Sequence, residues 1–392
     1  MNCLKPSVAL FNAVIVKAFS LIVSLDNAFR RIQKMLHANG ELIGLSTQIG
    51  KVTLGKKRHK TNIVILPFYY ILGMVLALFK MIRPVNIVIA MVTLSIGYYL
   101  LGVLPLQEIG SFVDLPHCDI LDTANARYVE NISWLTLILQ TLGLAFAIGF
   151  ANIQNDILDL ETDKLNQPNR PLVTGKVSVP VAKWVWIALF ILTLLCGVSE
   201  SLISKTGFTS AIFFVLLCGL LIAYNKKLKH IPLLKNMTVA LMCATPLILC
   251  LFTPAGIPET EDLQWTIADK IGFLYPAMMF AFLLTTAREI YKDLEDEIGD
   301  LKAGIMTFPL IAGAPVARRL AGFICIFCWA LLPLPVVQGY YPTLFLIITA
   351  AVLTPTFAAI LVFAYKKNYR RAQKLVKVAM FAGLVALLVC SF

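Results

Sequence analysis

Charge is scarce in this chain. Asp, Glu, Lys and Arg make up 14% of its 392 residues and hydrophobic types 59%, against roughly 25% charged and 45–50% apolar in an average soluble domain. Mean hydropathy is +0.81. A soluble globule of this length is excluded, and the chain is a membrane protein. Histidine is rarer still, with four residues too scattered to form a zinc-type ligand set. His117 and Cys118, beside Asp119 in a polar loop, are not expected to bind metal. Of the nine cysteines, Cys196, Cys218, Cys243, Cys250 and Cys390 lie in apolar blocks, where a free Cys acts as a small hydrophobe. No disulfide framework is expected. Cys325 and Cys328 form a C-x-x-C without the βαβ context of a redox motif. Acidic residues number 22 against 34 basic, a net charge of +12. The Lys and Arg sit in short loops between apolar blocks, which fits cytoplasmic loops and anionic headgroups rather than nucleic acid.

What the chain has in abundance is apolar blocks of bilayer-crossing length. They predict nine helical spans, at about 84–104, 132–154, 181–199, 208–224, 236–253, 271–291, 318–337, 342–365 and 373–391. Basic residues fill the loops after the second, fourth, sixth and eighth spans: Lys164, Arg170 and Lys176; Lys226, Lys227, Lys229 and Lys235; Lys302, Arg318 and Arg319; Lys366, Lys367, Arg370 and Arg371. Opposite loops are acidic or neutral, with Glu108, Asp114, Asp119 and Asp122 in one and Glu259, Glu261 and Asp262 in another. The positive-inside rule places the basic loops and the N-terminus in the cytoplasm, which implies a multi-pass protein of the inner (cytoplasmic) membrane. Residues 1–62 read as an N-terminal extension, interfacial or poorly ordered, because Val8–Leu25 is interrupted by Lys17 and followed by Arg30, Arg31 and Lys34. Ile63–Phe79 is apolar, but Lys80 and Arg83 separate it from the first span, so a helix along the cytoplasmic surface is expected. Residues 63–392 form the main domain.

The few acidic residues concentrate twice. In "NDILDLETDKLNQPNRP", residues 155–171, Asn155, Asp159 and Asp163 are spaced i, i+4, i+8 and share one helix face. Asp156 lies beside it, and Pro168 and Pro171 close the segment. In "REIYKDLEDEIGDLKAGIMTFP", residues 288–309, Asp293, Asp296 and Asp300 again share a face, and Gly299 and Gly304 are expected to loosen the segment as it leaves the helix. Glu161 and Glu295 point off these faces and Asp156 beside one, so all three are expected to be solvated or supporting. Glu289 is expected to pair with Lys292. Clustered carboxylates in a poorly solvated site repel one another unless a cation intervenes. Mg²⁺ takes oxygen ligands, keeps several waters and bridges one or two carboxylates to substrate phosphates. The pattern therefore points to a diphosphate held through Mg²⁺, with Asn155, Asp156, Asp159, Asp163, Asp293, Asp296 and Asp300 as candidate metal ligands. Asp159, Asp163, Asp296 and Asp300 stand at its catalytic centre. Arg170, Lys176, Lys226, Lys227, Lys229 and Lys292 are the candidate phosphate-binding cations, Arg acting bidentately.

These residues resemble the UbiA-type intramembrane prenyltransferase superfamily. Its first motif, N-D-x-x-D-x-x-x-D followed by N-R-P, is matched by Asn155, Asp156, Asp159 and Asp163, then Asn169, Arg170 and Pro171. Its second, D-x-x-D-x-x-x-D, is matched by Asp293, Asp296 and Asp300. "RPVN" at 83–86 and "AYNKKLKHIPLLKN" at 223–236 resemble the entry to its first helix and the loop after its fourth. The second motif is most similar to the branch typified by digeranylgeranylglyceryl phosphate synthase, with two departures: Ile298 replaces a Glu, and Lys235 stands where Gly is common. The resemblance implies nine transmembrane helices around a central cavity open to lipid, capped by Asp-rich cytoplasmic loops. It also implies Mg²⁺-dependent transfer of a polyprenyl group, geranylgeranyl in this branch, from its diphosphate to a lipid acceptor hydroxyl such as that of geranylgeranylglyceryl phosphate. An aromatic acceptor of quinone synthesis, hydroxybenzoate or dihydroxynaphthoate, is the alternative within the superfamily. A cation transporter is a more remote one, since transporters place paired carboxylates near the bilayer midplane.

Overall fold

A computed structural model of the protein describes residues 62–101, 132–204, 208–253, 267–302 and 304–390. Expectations for the N-terminal extension and for the acidic loops at Glu108–Asp122 and Glu259–Asp262 lie outside these residues. The described residues are helical throughout, with no strand among them. In order they form α1 (Asn62–Met81), α2 (Pro84–Leu100), α3 (Trp134–Leu158), α4 (Leu160–Asn166), α5 (Val179–Ile203), α6 (Thr209–Lys226), a 3₁₀ turn (Leu228–His230), α7 (Leu234–Leu251), α8 (Ile267–Lys302), α9 (Phe308–Ala312), α10 (Ala314–Ala330), α11 (Leu334–Val337), α12 (Thr343–Tyr365) and α13 (Tyr369–Cys390). In a solvent without water each backbone N–H and C=O must bond within its own segment, which selects helix for such apolar runs. The same demand explains Pro246, Pro276 and Pro355 inside α7, α8 and α12, since packed neighbours can re-satisfy freed carbonyls.

Among the described residues seven helices are long and apolar enough to cross a membrane: α3, α5, α6, α7, α8 from Lys270, the stretch 314–337 and α12. An eighth is possible from α1 and α2, which break after Met81 and bend by 49°. The bend is built by Arg83, in the left-handed region at φ 55°, and by Pro84, whose fixed φ suits the first position of α2. Exposed Trp184, Leu216, Phe323 and Val337 suit a lipid-facing surface rather than a watery one.

The chain forms two compact units. The first comprises residues 62–88 and 148–188 of the described chain. Here Asn152 Nδ2 donates to the Ile82 carbonyl at 3.3 Å, fixing the α1–α2 turn against the end of α3. The second comprises 89–147 and 189–390. Its axis is α8, 36 residues long and so about 54 Å, which packs against α7, α10 and α13, while α12 packs on α10 and α13. Small residues let these helices approach: Ala287, Ala317, Ala321, Cys325, Cys328, Ala364, Ala372 and Ala379 interleave with Ile290, Tyr291, Phe357 and Ile360. Cys325 and Cys328 are free thiols in this core. Elsewhere in the unit the fully buried ring of Phe214 on α6 lies against Gly143 of α3 and Gly197 of α5, where a Cβ would meet it at 2.5 and 2.8 Å.

The same unit buries a polar group of five. Tyr98 donates to Gln140 and shares a hydrogen bond of 2.6 Å with Thr253. Gln140 Nε2 donates to Glu200 Oε1 at 3.3 Å and to Thr253 Oγ1 at 3.0 Å. Lys270 Nζ donates to the Thr253 carbonyl at 2.7 Å. Composition gives no hint of this network, because each member stands alone in its apolar block.

Candidate active site

The first acidic segment begins in the last turn of α3. The helix breaks at Asp159, whose φ and ψ are −92° and 8°, yet the i to i+4 ladder runs on. The Asp159 N–H donates to the Asn155 carbonyl at 2.9 Å, Asp163 to Asp159 at 2.8 Å and Gln167 to Asp163 at 2.8 Å. Asn155, Asp159 and Asp163 therefore keep the stacked order that their spacing predicts. The chain then turns through Pro168–Val177, with the Thr174 N–H donating to the Arg170 carbonyl at 2.9 Å and Gly175 taking a positive φ of 70°. That turn folds Arg170 back onto the acidic face. Its Nη1 donates to Asp156 Oδ1 at 3.0 Å and also to Asp163, while Arg83 stands 3.6 Å from Asp156. Asp156 and Asp163 are both buried, Asp159 and Asn155 half-buried, and Lys176 exposed. Of the two alternatives expected for Asp156, solvated or supporting, its burial against Arg170 and Arg83 leaves the supporting one. Glu161 is exposed and pairs with Lys164 at 2.7 Å, as its off-face position predicts.

Burial is the main force on the Asp163 carboxyl and pushes it above the ordinary carboxylate range; Arg170 pulls it back and Asp159 pushes it further up. Arg83 and Arg170 against Asp156, Asp159 and Asp163 make a charge set with one more anion than cation, so it favours additional positive charge.

The second acidic segment is not a loop. Asp293, Asp296 and Asp300 all lie on α8, which runs through Gly299 to Lys302 and ends before Gly304 at φ 69°. The glycines end the helix later than expected, because Glu295–Asp300 supplies enough helix-forming side chains to carry one Gly. Asp293 is buried and accepts from Lys235 Nζ at 2.8 Å and Asn236 Nδ2 at 3.0 Å, both at the start of α7. Asp300 is half-buried and Asp296 exposed. Lys292 is exposed and does not pair with Glu289, which is bonded instead to its neighbour Arg288. Glu295 is held by Gln373 and lies 3.9 Å from Arg370, so it ties α8 to α13 rather than facing solvent alone. Lys226 and Lys227 are exposed and Lys229 half-buried, around the 3₁₀ turn between α6 and α7.

The donor set fits Mg²⁺. Among the described residues no three Asp, Glu, His or Cys side chains stand close enough to cage a metal. Hard carboxylate oxygens in ones and twos, partly buried and left with net negative charge, are what Mg²⁺ uses when waters and phosphate complete its shell. Lys235 and Arg170 hold the buried carboxylates in place meanwhile.

Residues 126–385 match the UbiA prenyltransferase family. The chain belongs to that family. As a UbiA member it is a multi-pass membrane prenyltransferase. It is 32% identical over 262 residues to digeranylgeranylglyceryl phosphate synthase of Methanobrevibacter smithii, covering 66% of this chain and 88% of that one. The enzyme of the same name from Metallosphaera sedula is 30% identical over 263 residues, covering 66% and 86%. A solved structure of digeranylgeranylglyceryl phosphate synthase in membranes superposes with a TM-score of 0.59 at 22% identity, over 81% of this chain and 98% of that one, and shares the fold.

Four polar residues beside the UbiA motifs escape a reading of the sequence as site components. Arg83 is visible there only as part of "RPVN", and Lys235 only as a basic loop residue standing where Gly is common. Asn236 and Arg288 are visible only as the ends of resembling stretches: Asn236 closes "AYNKKLKHIPLLKN" and Arg288 opens the second motif. All four neutralise or bond carboxylates that the charge pattern alone leaves unbalanced.

Proposed function

We propose that this UbiA member transfers a geranylgeranyl group from its diphosphate to the hydroxyl of geranylgeranylglyceryl phosphate, forming an ether lipid and diphosphate. The observation that carries the reading is Arg170 folded onto Asp156 and Asp163, a cation and two buried carboxylates poised where a metal–diphosphate can bind; the names of the curated relatives supply the acceptor. Asp159, Asp163, Asp296 and Asp300, with Asn155, Asp156 and Asp293 beside them, hold the metal ions. Arg170, Lys176 and Lys292 bind the phosphate oxygens that remain. Lys226, Lys227 and Lys229 attract the acceptor's phosphate. Mg²⁺, when bound, supplies positive charge to the departing diphosphate oxygens.

The side chains do the rest. Arg170 exchanges one of its carboxylate bonds for a phosphate oxygen, and its planar donors keep the leaving group oriented. Apolar helix faces surround the prenyl chain, each buried CH₂ contributing about 0.8 kcal/mol, and keep water from the allylic cation. The proposal includes nine spans, with α2 and α13 added to the seven apolar helices, a catalytic domain over 63–392, and an inner-membrane orientation with both acidic segments on the cytoplasmic side.

The test is product identification. Purified protein in lipid nanodiscs receives geranylgeranyl diphosphate, Mg²⁺ and a panel of acceptors: geranylgeranylglyceryl phosphate, hydroxybenzoate and dihydroxynaphthoate. Ether lipid is the expected product, and Asp159→Ala or Asp296→Ala lowers its rate by at least about 100-fold, the scale of one lost electrostatic contact to a transition state. A prenylated aromatic as the sole product transfers the assignment to the quinone branch, and wild-type turnover from either Asp variant refutes the site.

A further inference from the structure

The acidic face of α8 does not stop at Asp293. Glu289 stands four residues before it, and Glu289, Asp293, Asp296 and Asp300 fall within about 60° of one another around the helix at 3.6 residues per turn. Glu289 is thus one turn nearer the apolar 271–287 stretch than the aspartates. It is buried, as is Thr285 one turn further on, and Arg288 bonds its carboxylate. An ionisable side chain buried where a span-length helix meets its polar end is costly to retain and marks a candidate functional group. Two atoms around it are buried without a hydrogen-bond partner, Asn236 Oδ1 on α7 and Arg288 Nε on α8, while the Thr285 hydroxyl meets only the weakly bonding thiol of Cys243. Asn236 is fully buried and its amide is bonded to Asp293, so its vacant carbonyl belongs to this same wall. Cys243, two turns along α7 from Asn236, lies beside Arg288 and Glu289. Buried polar atoms left unpaired call for a polar ligand.

We propose that Glu289 is the catalytic base that accepts the proton of the acceptor hydroxyl, with Arg288 positioning its carboxylate and Asn236 and Thr285 bonding the polar end of the acceptor. The inference rests on the ether-forming reading above. In the step, the bond from the prenyl C1 to the diphosphate oxygen breaks and diphosphate leaves with the electron pair. The acceptor oxygen bonds to C1, and its proton passes to a Glu289 oxygen. The aspartates one to three turns away serve the leaving group, so loss of the base separates two events: the donor still ionises, while the ether no longer forms efficiently.

Glu289→Gln keeps the shape and removes the base. Expected is a 10²- to 10⁴-fold fall in ether formation, with diphosphate release falling far less and the prenyl group recovered as the alcohol from water capture. The rise in melting temperature produced by Mg²⁺ with inorganic diphosphate stays as in wild type, showing that the variant is folded and its metal site intact. Glu289→Asp regains part of the ether rate. Ether formation by Glu289→Gln at the wild-type rate overturns the proposal. So does a parallel loss of diphosphate release and of the Mg²⁺–diphosphate shift, which would make Glu289 a metal or donor ligand. A wild-type protein that makes no ether from geranylgeranylglyceryl phosphate sinks the parent reading, and this one with it; active wild type with an undiminished Glu289→Gln sinks this one alone.

Discussion

Replacing Arg170 with Met tests whether the first acidic segment is a buried charge set or a solvated loop. Arg170 bonds Asp156 at 3.0 Å and also bonds Asp163, and the carboxylate side chains are 6% and 8% exposed against 25% for the arginine. Each hydrogen bond to a buried charged group contributes about 1.5–3 kcal/mol, and removing one partner of a buried pair costs about 3–5 kcal/mol. Arg83 still stands 3.6 Å from Asp156, so the lower figure applies, about 3 kcal/mol. At about 2 °C per kcal/mol for a large domain, the melting temperature of the purified protein falls by roughly 6 °C. The pH dependence has a definite sign. Burial, then Asp159, already lift the Asp163 carboxyl while Arg170 restrains it, so in the variant it rises further. A raised carboxyl weakens the fold when ionised. The deficit is therefore full above the raised pKa and shrinks as pH falls through it and the group takes up a proton. Adding Asp156→Asn and Asp163→Asn removes the orphaned anions and restores most of the lost stability without restoring transfer. A single variant melting within about 1 °C of wild type, or a triple variant no better than the single, refutes the reasoning.

Four further outcomes follow from the packing and the site. Lys235→Met leaves Asp293 with Asn236 alone and lowers stability by about 2 kcal/mol, read by thermal unfolding in detergent; Lys235→Arg recovers part of it. Gly143→Ala drives a methyl into the Phe214 ring and costs about 1–3 kcal/mol, and Phe214→Leu in the same chain relieves some of that loss. Tyr98→Phe removes the hydroxyl that donates to Gln140 and bonds Thr253 and costs about 1–3 kcal/mol without changing the Mg²⁺ concentration needed for half-maximal transfer. Chelation by EDTA stops transfer and added Mg²⁺ restores it, whereas an unaffected rate removes the metal from the mechanism.

The spacing of Asn155, Asp159 and Asp163 carries real geometric information, because a hydrogen-bonded ladder stacks every fourth residue even where the regular helix lapses at Asp159. Helix class and most span positions are legible for a similar reason: apolar length is a direct consequence of bilayer thickness. Depth is not legible. Asp156 and Glu289 look like ordinary acidic residues in sequence, and only the three-dimensional return of Arg170 and Arg83, or the proximity of Arg288, explains how their charges survive burial. The end of α8 is easily misjudged because Gly299 and a run of charges resemble a loop, although the i, i+3, i+7 spacing of its aspartates is itself helical. The α1–α2 junction presents a problem of tight turning; the chain meets it with a 49° bend rather than a reversal. The buried group around Gln140 is invisible in sequence, since its members come from segments far apart in the chain.

That buried group also bears on how the protein is made. Gln140 and Glu200 can meet once α3 and α5 have both left the translocation machinery, but Thr253 and Lys270 emerge only with the end of α7 and the start of α8. Until then the buried Gln140 amide bonds Glu200 but lacks its second acceptor on Thr253, a polar group half-satisfied in a non-aqueous setting, so the N-terminal helices have an incentive to linger beside the insertase. Truncation after α6 should therefore yield a fragment that is retained and degraded, whereas truncation beyond Lys270 should release one that partitions freely into the bilayer.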